Sequence, residues 1–163
     1  MADVFSKRKR SEVMSRIRSR GNKDTELALA RLLRANGITG WRRHLLIRAT
    51  VESRWLKVES RKRSKTPQPS TFSPQLAVRP DFVFLKSRTA IFVDGCFWHG
   101  CPKHATWPAH RAAWWRRKIE GNKTRDRMVN RALRRSGWRV IRIWECELRN
   151  AGRILKRIEK HLK

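Results

Sequence analysis

The chain of 163 residues contains no tyrosine, only three cysteines and only 13 acidic residues, set against 41 lysines and arginines. The scarcity of acid leaves a formal charge of +28. That much self-repulsion penalises the compact state unless a polyanion relieves it, so nucleic acid is the expected partner. A run of about eighteen apolar residues, the minimum for a membrane span, is missing, which excludes a spanning helix. The opening MADVFSKRKR is charged with no apolar stretch behind it, so a secretory signal is not expected and a cytoplasmic protein is. An odd number of cysteines in that setting disfavours a disulfide framework and leaves metal binding or buried thiols. Eight tryptophans stand in place of the missing tyrosines, offering flat surfaces that either fill a core or stack on bases. At 39% hydrophobic and 33% charged, the chain is neither a typical disordered nor a membrane protein, and its length fits one domain.

Along the chain, residues 1–23 read as a basic arm that orders on phosphate, or as a solvated tail. A helix follows, with Asp24 as N-cap, Leu29, Leu32 and Leu33 on one side and Gly37 as its stop. Residues 50–78 show neither helical nor strand periodicity and carry Arg61, Lys62, Arg63 and Lys65 among prolines and serines, which predicts a loop insertion. Residues 80–85 and 89–94 predict an antiparallel hairpin. The stretch 96–110 is too rich in Gly, Pro, Cys and His for a regular element. Residues 114–133 predict one broken or two consecutive helices, then a strand over 138–144 and a basic helix over 147–162. No internal repeat is present. The order of elements predicts a mixed α/β domain over 24–163, with helices packed on a small sheet.

Two constellations carry chemistry. Cys96, Cys101 and His104 fall within nine residues, and Cys146 follows the last strand, so three local ligands and one remote one can close a tetrahedral zinc site. Four protein ligands leave no open position, which makes such a site structural; the alternative is buried thiols with His104 on the surface. His110 is a weaker substitute for His104, and His44 and His161 read as ordinary surface residues. The second constellation pairs Asp81, at the head of one hairpin strand, with Asp94, at the tail of the next. Paired carboxylates hold Mg²⁺ against phosphate oxygens. His99 is close enough to serve as a general base, and Asp126 to orient it by accepting its second N–H. Each also has a plain structural reading: Asp81 and Asp94 as turn residues, His99 as a spare zinc ligand, Glu26 as a complement to its helix dipole, Asp126 as a counter-charge to arginines.

The run IFVDGCFWHGCPKH (91–104), with RPDFV (79–83) before it and GWRVIRIWEC (137–146) after it, resembles the very-short-patch repair (Vsr) DNA mismatch endonucleases. The resemblance extends to RSEVMSRI (10–17), TELALARLL (25–33) and KIEGNKTRDR (118–127). It implies a fold similar to the restriction-endonuclease-like, PD-(D/E)xK nucleases, and nicking of one DNA strand 5′ to the thymine of a T:G mismatch left by deamination of 5-methylcytosine. It further implies Asp81 and the Val93 carbonyl as Mg²⁺ ligands, His99 with Asp126 as activators of water, and Glu26 acting through the metal's water shell. Cys96, Cys101, His104 and Cys146 match the family's structural zinc positions. Phe97, Trp98 and Trp115 match wedges inserted beside the mismatch, where unstacking is cheapest, whereas Trp114 is expected in the core. Lys118 and Asn122 match residues that contact the mismatched bases.

Some positions depart from the pattern. The general lysine is absent, because Cys96 stands two residues after Asp94, and Asp94 itself stands where some relatives have a histidine. Its expected role is therefore either second metal ligand or water-orienting group. A single mismatch is asymmetric and needs only one nick, so a monomer is expected; the resemblance implies double-stranded DNA in a bacterial cytoplasm, with association with the nucleoid, and a cytosine-5 methyltransferase system and mismatch-repair proteins as further candidate partners. Two other readings stand beside it: an endonuclease of the same fold with another DNA target, and a non-catalytic, zinc-stapled nucleic-acid-binding module. The module has no use for Asp81 and Asp94, since carboxylates repel phosphate.

Overall fold

The computed structural model describes residues 25–51 and 75–162 together with Arg8 and Glu12. The expected basic arm at 1–23, Arg8 and Glu12 apart, and residues 52–74 of the expected insertion lie outside the described residues, as does Asp24. Helix α1 (Glu26–Ala35) buries Leu29, Ala30 and Leu33 at helical spacing. Thr25 occupies its N-cap without a side-chain capping bond. Gly37, at φ +66°, supplies the left-handed turn after the helix, a conformation that favours glycine because it has no Cβ.

Strands β1 (Trp41–Arg43), β4 (Phe82–Phe84), β5 (Thr89–Asp94) and β6 (Arg139–Trp144) form a sheet in the order β1-β4-β5-β6. The first two pairings are antiparallel and β5 with β6 is parallel. A parallel neighbour requires a crossover, and it is helix α2 (Ala112–Arg135) that lies between β5 and β6 in sequence. A second, two-stranded sheet pairs β2 (Ile47–Thr50) with β3 (Gln75–Val78). Residues 145–149 form a 3₁₀ turn, and α3 (Ala151–Leu162) ends the described chain.

The period of two along the strands divides the core. Ile141 and Ile143 join Phe82, Ile91 and the apolar stripes of α1 and α3 on one face of the sheet. Val83, Ala90 and Val140 join Ala132 and Leu133 of α2 on the other, with Ile47 and Val78 of the small sheet. Each fully buried aliphatic of this kind is worth about 1.5–3 kcal/mol of transfer free energy. The polar ends of β4 and β5 and the middle of α2 are thereby brought to one edge.

Three sequence expectations change. The segment 114–133 is one continuous helix running from Ala112 to Arg135. Gly121 costs about 1 kcal/mol there, but the burial of Ile119, Ala132 and Leu133 holds the helix together. The stretch 50–78 is bounded by strands, because Ala49 and Val78 are buried against α2 although their neighbours are polar. The C-terminal helix starts at Ala151, after the 3₁₀ turn, rather than at 147. No helix among the described residues is long and apolar enough to cross a membrane.

Candidate active site and metal centre

Asp81 follows the buried Pro80 at the entrance to β4 and precedes Phe82, which pairs with Ile91. Its Oδ2 accepts the Val93 N–H at 2.7 Å. Burial pushes the Asp81 carboxyl up to about 6; the Val93 hydrogen bond opposes the rise, and the nearby Glu26 and Asp94 add to it. Glu26, at the start of α1, accepts from Arg43 Nη2 at 2.5 Å and lies 3.1 Å from His44 Nε2. Ligand atoms of Glu26, His44 and Asp81 all lie within 4.8 Å of one another. Carboxylates gathered at one point of a strongly basic chain suit a hard divalent cation. His44 reaches this cluster from a left-handed backbone, φ 51°, an unfavourable conformation of the kind retained where a side chain must be aimed.

His99 lies on the irregular loop after β5, and its Nδ1 is 2.6 Å from Asp126 Oδ2 on α2. Burial alone would raise Asp126, but the His99 hydrogen bond and the Arg142 charge hold it below the usual carboxylate range. The other oxygen, Asp126 Oδ1, meets Arg142 Nη2 at 2.9 Å. Arg142 also grips both oxygens of Asp94, Nε to Oδ2 and Nη2 to Oδ1, each at 2.5 Å. Asp81, Val93, Asp94, His99, Asp126 and Arg142 line one cleft of about 700 Å³.

Ligand atoms of Cys96, Cys101, His104 and Cys146 likewise all lie within 4.8 Å of one another. Cys101 Sγ is 3.9 Å from Cys146 Sγ and 4.0 Å from His104 Nδ1. Tetrahedral zinc with bonds near 2.3 Å sets thiolates about 3.8 Å apart, so the sulfur spacing fits that ion. Burial raises the Cys96 thiol, whereas at Cys101 the effect of burial is outweighed by the Lys103 and His104 N–H groups and by the His104 and Cys146 side chains, which lower it. A lowered thiol favours the thiolate that metals bind. Cys96 and Cys101 are buried, while His104 is exposed.

Beside these groups, the rings of Phe97, Trp98 and Trp115 form a cluster, with Phe97 5.2 Å from Trp98 and 5.1 Å from Trp115 between centroids. Trp114 belongs to the same cluster, 4.7 Å from Trp115, and is 47% exposed rather than in the core. It lies in the first turn of α2, beyond the stretch that faces the sheet, so no core residue is available to cover it. Asn122 Nδ2 donates to the Trp98 carbonyl at 2.8 Å, which ties the aromatic loop to α2, and Lys118 is exposed one turn earlier. Gly100, at φ +64°, lets that loop run against α2: a Cβ there would meet Ile119 Cγ2 at 3.0 Å and Lys123 Cε at 2.6 Å.

Sequence reasoning missed Arg142 and His44. A cation in the middle of the β6 run, on the strand face opposite Ile141 and Ile143, was the available signal for Arg142. His44 carried no local signal, because only the fold brings β1 beside Asp81.

The class of protein to which this arrangement corresponds comes from its relatives. The family profile described as DNA mismatch endonuclease Vsr matches residues 71–105. The type II nicking enzyme V.NmeAIP of Neisseria meningitidis is 30% identical over 98% of this chain and 94% of its own length. The DNA mismatch endonuclease Vsr of Escherichia coli is 42% identical over 47% of this chain, and the type II nicking enzyme V.NaeI of Lentzea aerocolonigenes is 49% identical over 43%. In those two the matched part spans about half or less of the relative's length, 49% and 42% respectively. The chain belongs to the Vsr family.

Proposed function

We propose that this protein is a Mg²⁺-dependent DNA endonuclease of restriction-endonuclease-like fold, which nicks one strand 5′ to the thymine of a T:G mismatch and so starts very-short-patch repair. The observation that carries this reading is the single cleft shared by Asp81 and the His99–Asp126 pair. Its relatives include a mismatch endonuclease and nicking enzymes. Asp81 and the Val93 carbonyl would hold the ion, with Glu26 acting through its water shell. Bound there, Mg²⁺ supplies Lewis-acid stabilisation of charge on the scissile phosphate and a more acidic water.

The protein's own residues do the rest. Asp126 accepts the Nδ1 proton of His99, which leaves Nε2 to take a proton from the attacking water. Asp94 acts through Arg142 on the same pair. Phe97, Trp98 and Trp115 enter the duplex beside the mismatch, where unstacking costs least. Lys118 and Asn122 then read base edges displaced by the wobble pair. Cys96, Cys101, His104 and Cys146 hold a structural zinc that staples the wedge-bearing loop to the end of β6. The basic arm at 1–23 and the insertion between β2 and β3 add phosphate contacts to the domain over 24–163. The enzyme works as a cytoplasmic, nucleoid-associated monomer, alongside a cytosine-5 methyltransferase and mismatch-repair proteins.

The test is cleavage of an end-labelled duplex carrying one T:G mismatch in several flanking contexts, with Mg²⁺ or a chelator and a matched T:A control. A single Mg²⁺-dependent nick beside the mismatched thymine is expected, absent from Asp81→Ala. Cleavage of the matched duplex instead would favour the same fold with another DNA target, a reading that the nicking-enzyme names of several relatives keep in view.

A further inference from the structure

We propose that Arg142 is a positioning residue for the His99–Asp126 pair, its guanidinium clamping Asp94 and Asp126 so that Asp126 presents Oδ2 to His99. The inference rests on the nuclease reading of the same cleft. Arginine is suited to this because its planar fork carries five N–H donors in fixed directions. Nε and Nη2 take the two Asp94 oxygens side-on, Nη2 also reaches Asp126 Oδ1, and Nη1 donates to Asn130 Oδ1 at 3.2 Å. Asp126 and Asn130 are one turn apart on α2 and so share a face. One strand residue thereby fixes both the helix face and the end of the neighbouring strand.

The consequence for chemistry follows from the count of oxygens. With Oδ1 held by Arg142, Asp126 has Oδ2 for His99, and the imidazole cannot swing without losing a hydrogen bond of 2.6 Å. Asp94, held through both oxygens by the same guanidinium, keeps Oδ1 3.6 Å from His99 Nδ1, farther away than Asp126 Oδ2. Arg142 also sets its positive charge between two carboxylates that would otherwise repel each other beside His99, and it stacks over Phe92, 4.9 Å from the ring centroid. Its Nε, Nη1 and Nη2 all donate to protein acceptors. Lysine has one ammonium centre and cannot span Asp94, Asp126 and Asn130 together.

The experiment uses the full chain, the T:G duplex and single-turnover nicking, with duplex affinity and thermal melting measured separately. Arg142→Lys is expected to slow nicking about 10- to 100-fold, the usual loss on removing a supporting partner, while duplex affinity and melting temperature stay near wild type. Arg142→Gly is expected to regain rate when free guanidinium is added, whereas Asp126→Ala is not. In the metal-free protein, the imidazole ¹⁵N shifts of His99 in Arg142→Lys are expected to move towards a mixture of tautomers. Full nicking rate in Arg142→Lys with unchanged His99 shifts overturns the inference. So does a rate loss that follows only weaker duplex binding, which makes Arg142 a DNA contact, or only lost folding in both variants. Absence of nicking by wild type, with the His99 shifts still moved by Arg142→Lys, sinks the nuclease reading but leaves the clamp in place.

Discussion

Asp126 Oδ2 lies 2.6 Å from His99 Nδ1, so the carboxylate fixes the proton on that nitrogen and leaves Nε2 as the basic one. Replacing Asp126 by Asn keeps the shape but lets the amide offer a donor as readily as an acceptor, which permits the wrong tautomer. Asp126→Asn is expected to slow single-turnover nicking by about 10²- to 10⁴-fold. Filter-binding affinity for the duplex is expected to stay within a few-fold of wild type, and a parallel loss of both would place Asp126 in DNA binding instead.

Asp81 makes stability depend on pH in the unusual direction for a carboxylate. Its folded-state value of about 6 lies above the ordinary 3.8, so the folded state keeps the proton between those values. The stabilisation relative to the ionised form is complete below about 3.8 and is lost as pH rises through about 6. The full shift corresponds to about 3 kcal/mol, which partial exposure to solvent cuts to about 1–2 kcal/mol. Asp81→Asn is therefore expected to raise Tm by roughly 3–6 °C at pH 8 and hardly at all at pH 3.5 in metal-free buffer. Equal Tm gains at both pH values, read by circular dichroism, would argue against a buried, uncompensated charge.

The four-ligand cluster gives a prediction about composition as well as stability. Elemental analysis of purified protein is expected to find about one zinc per chain, and Cys101→Ser to lose it. Stripping the ion with a strong chelator should lower Tm by roughly 10 °C or more, since binding free energy at such a site is folding free energy. Zinc-free protein that melts at the same temperature would leave these cysteines as buried thiols.

Gly100 supports the aromatic loop by letting it run close against α2. A side chain there faces both a left-handed φ and Ile119 at 3.0 Å, and Gly100→Ala is expected to cost about 1–3 kcal/mol in urea unfolding. The same change should weaken mismatch discrimination, because Phe97 and Trp98 sit on the displaced loop. An unchanged unfolding midpoint would show that the loop can shift freely off α2.

Much of this arrangement was legible in the sequence because it depends on local order. The hairpin carrying Asp81 and Asp94 is written in two β-rich runs, and the three cysteines and His104 announce themselves by type and spacing. A carboxylate behind His99 is one of two readings that the residue types allow for Asp126, the other being a counter-charge to arginines. What the sequence did not disclose depends on which faces meet. Arg142 looks like one more charge among 41, and only the parallel pairing of β5 with β6 brings it beside Asp94. His44 reaches Asp81 through the antiparallel pairing of β1 with β4. Strands β2 and β3 escaped notice because each is four residues long, too short for alternation to stand out from a polar background. Trp114 was misplaced because an aromatic in an amphipathic helix normally packs inward, whereas this turn lies beyond the sheet.

The pairing of Thr50 with Gln75 at the end of the β2–β3 ladder has a consequence for how this scaffold can vary. Two residues far apart in sequence thus stand side by side at the open end of the small sheet. The entropy of closing such a loop grows only with the logarithm of its length. A change in the number of residues between Thr50 and Gln75 therefore costs little closure entropy, so Arg79, Pro80 and Asp81 can keep their positions when the length between those two strands differs.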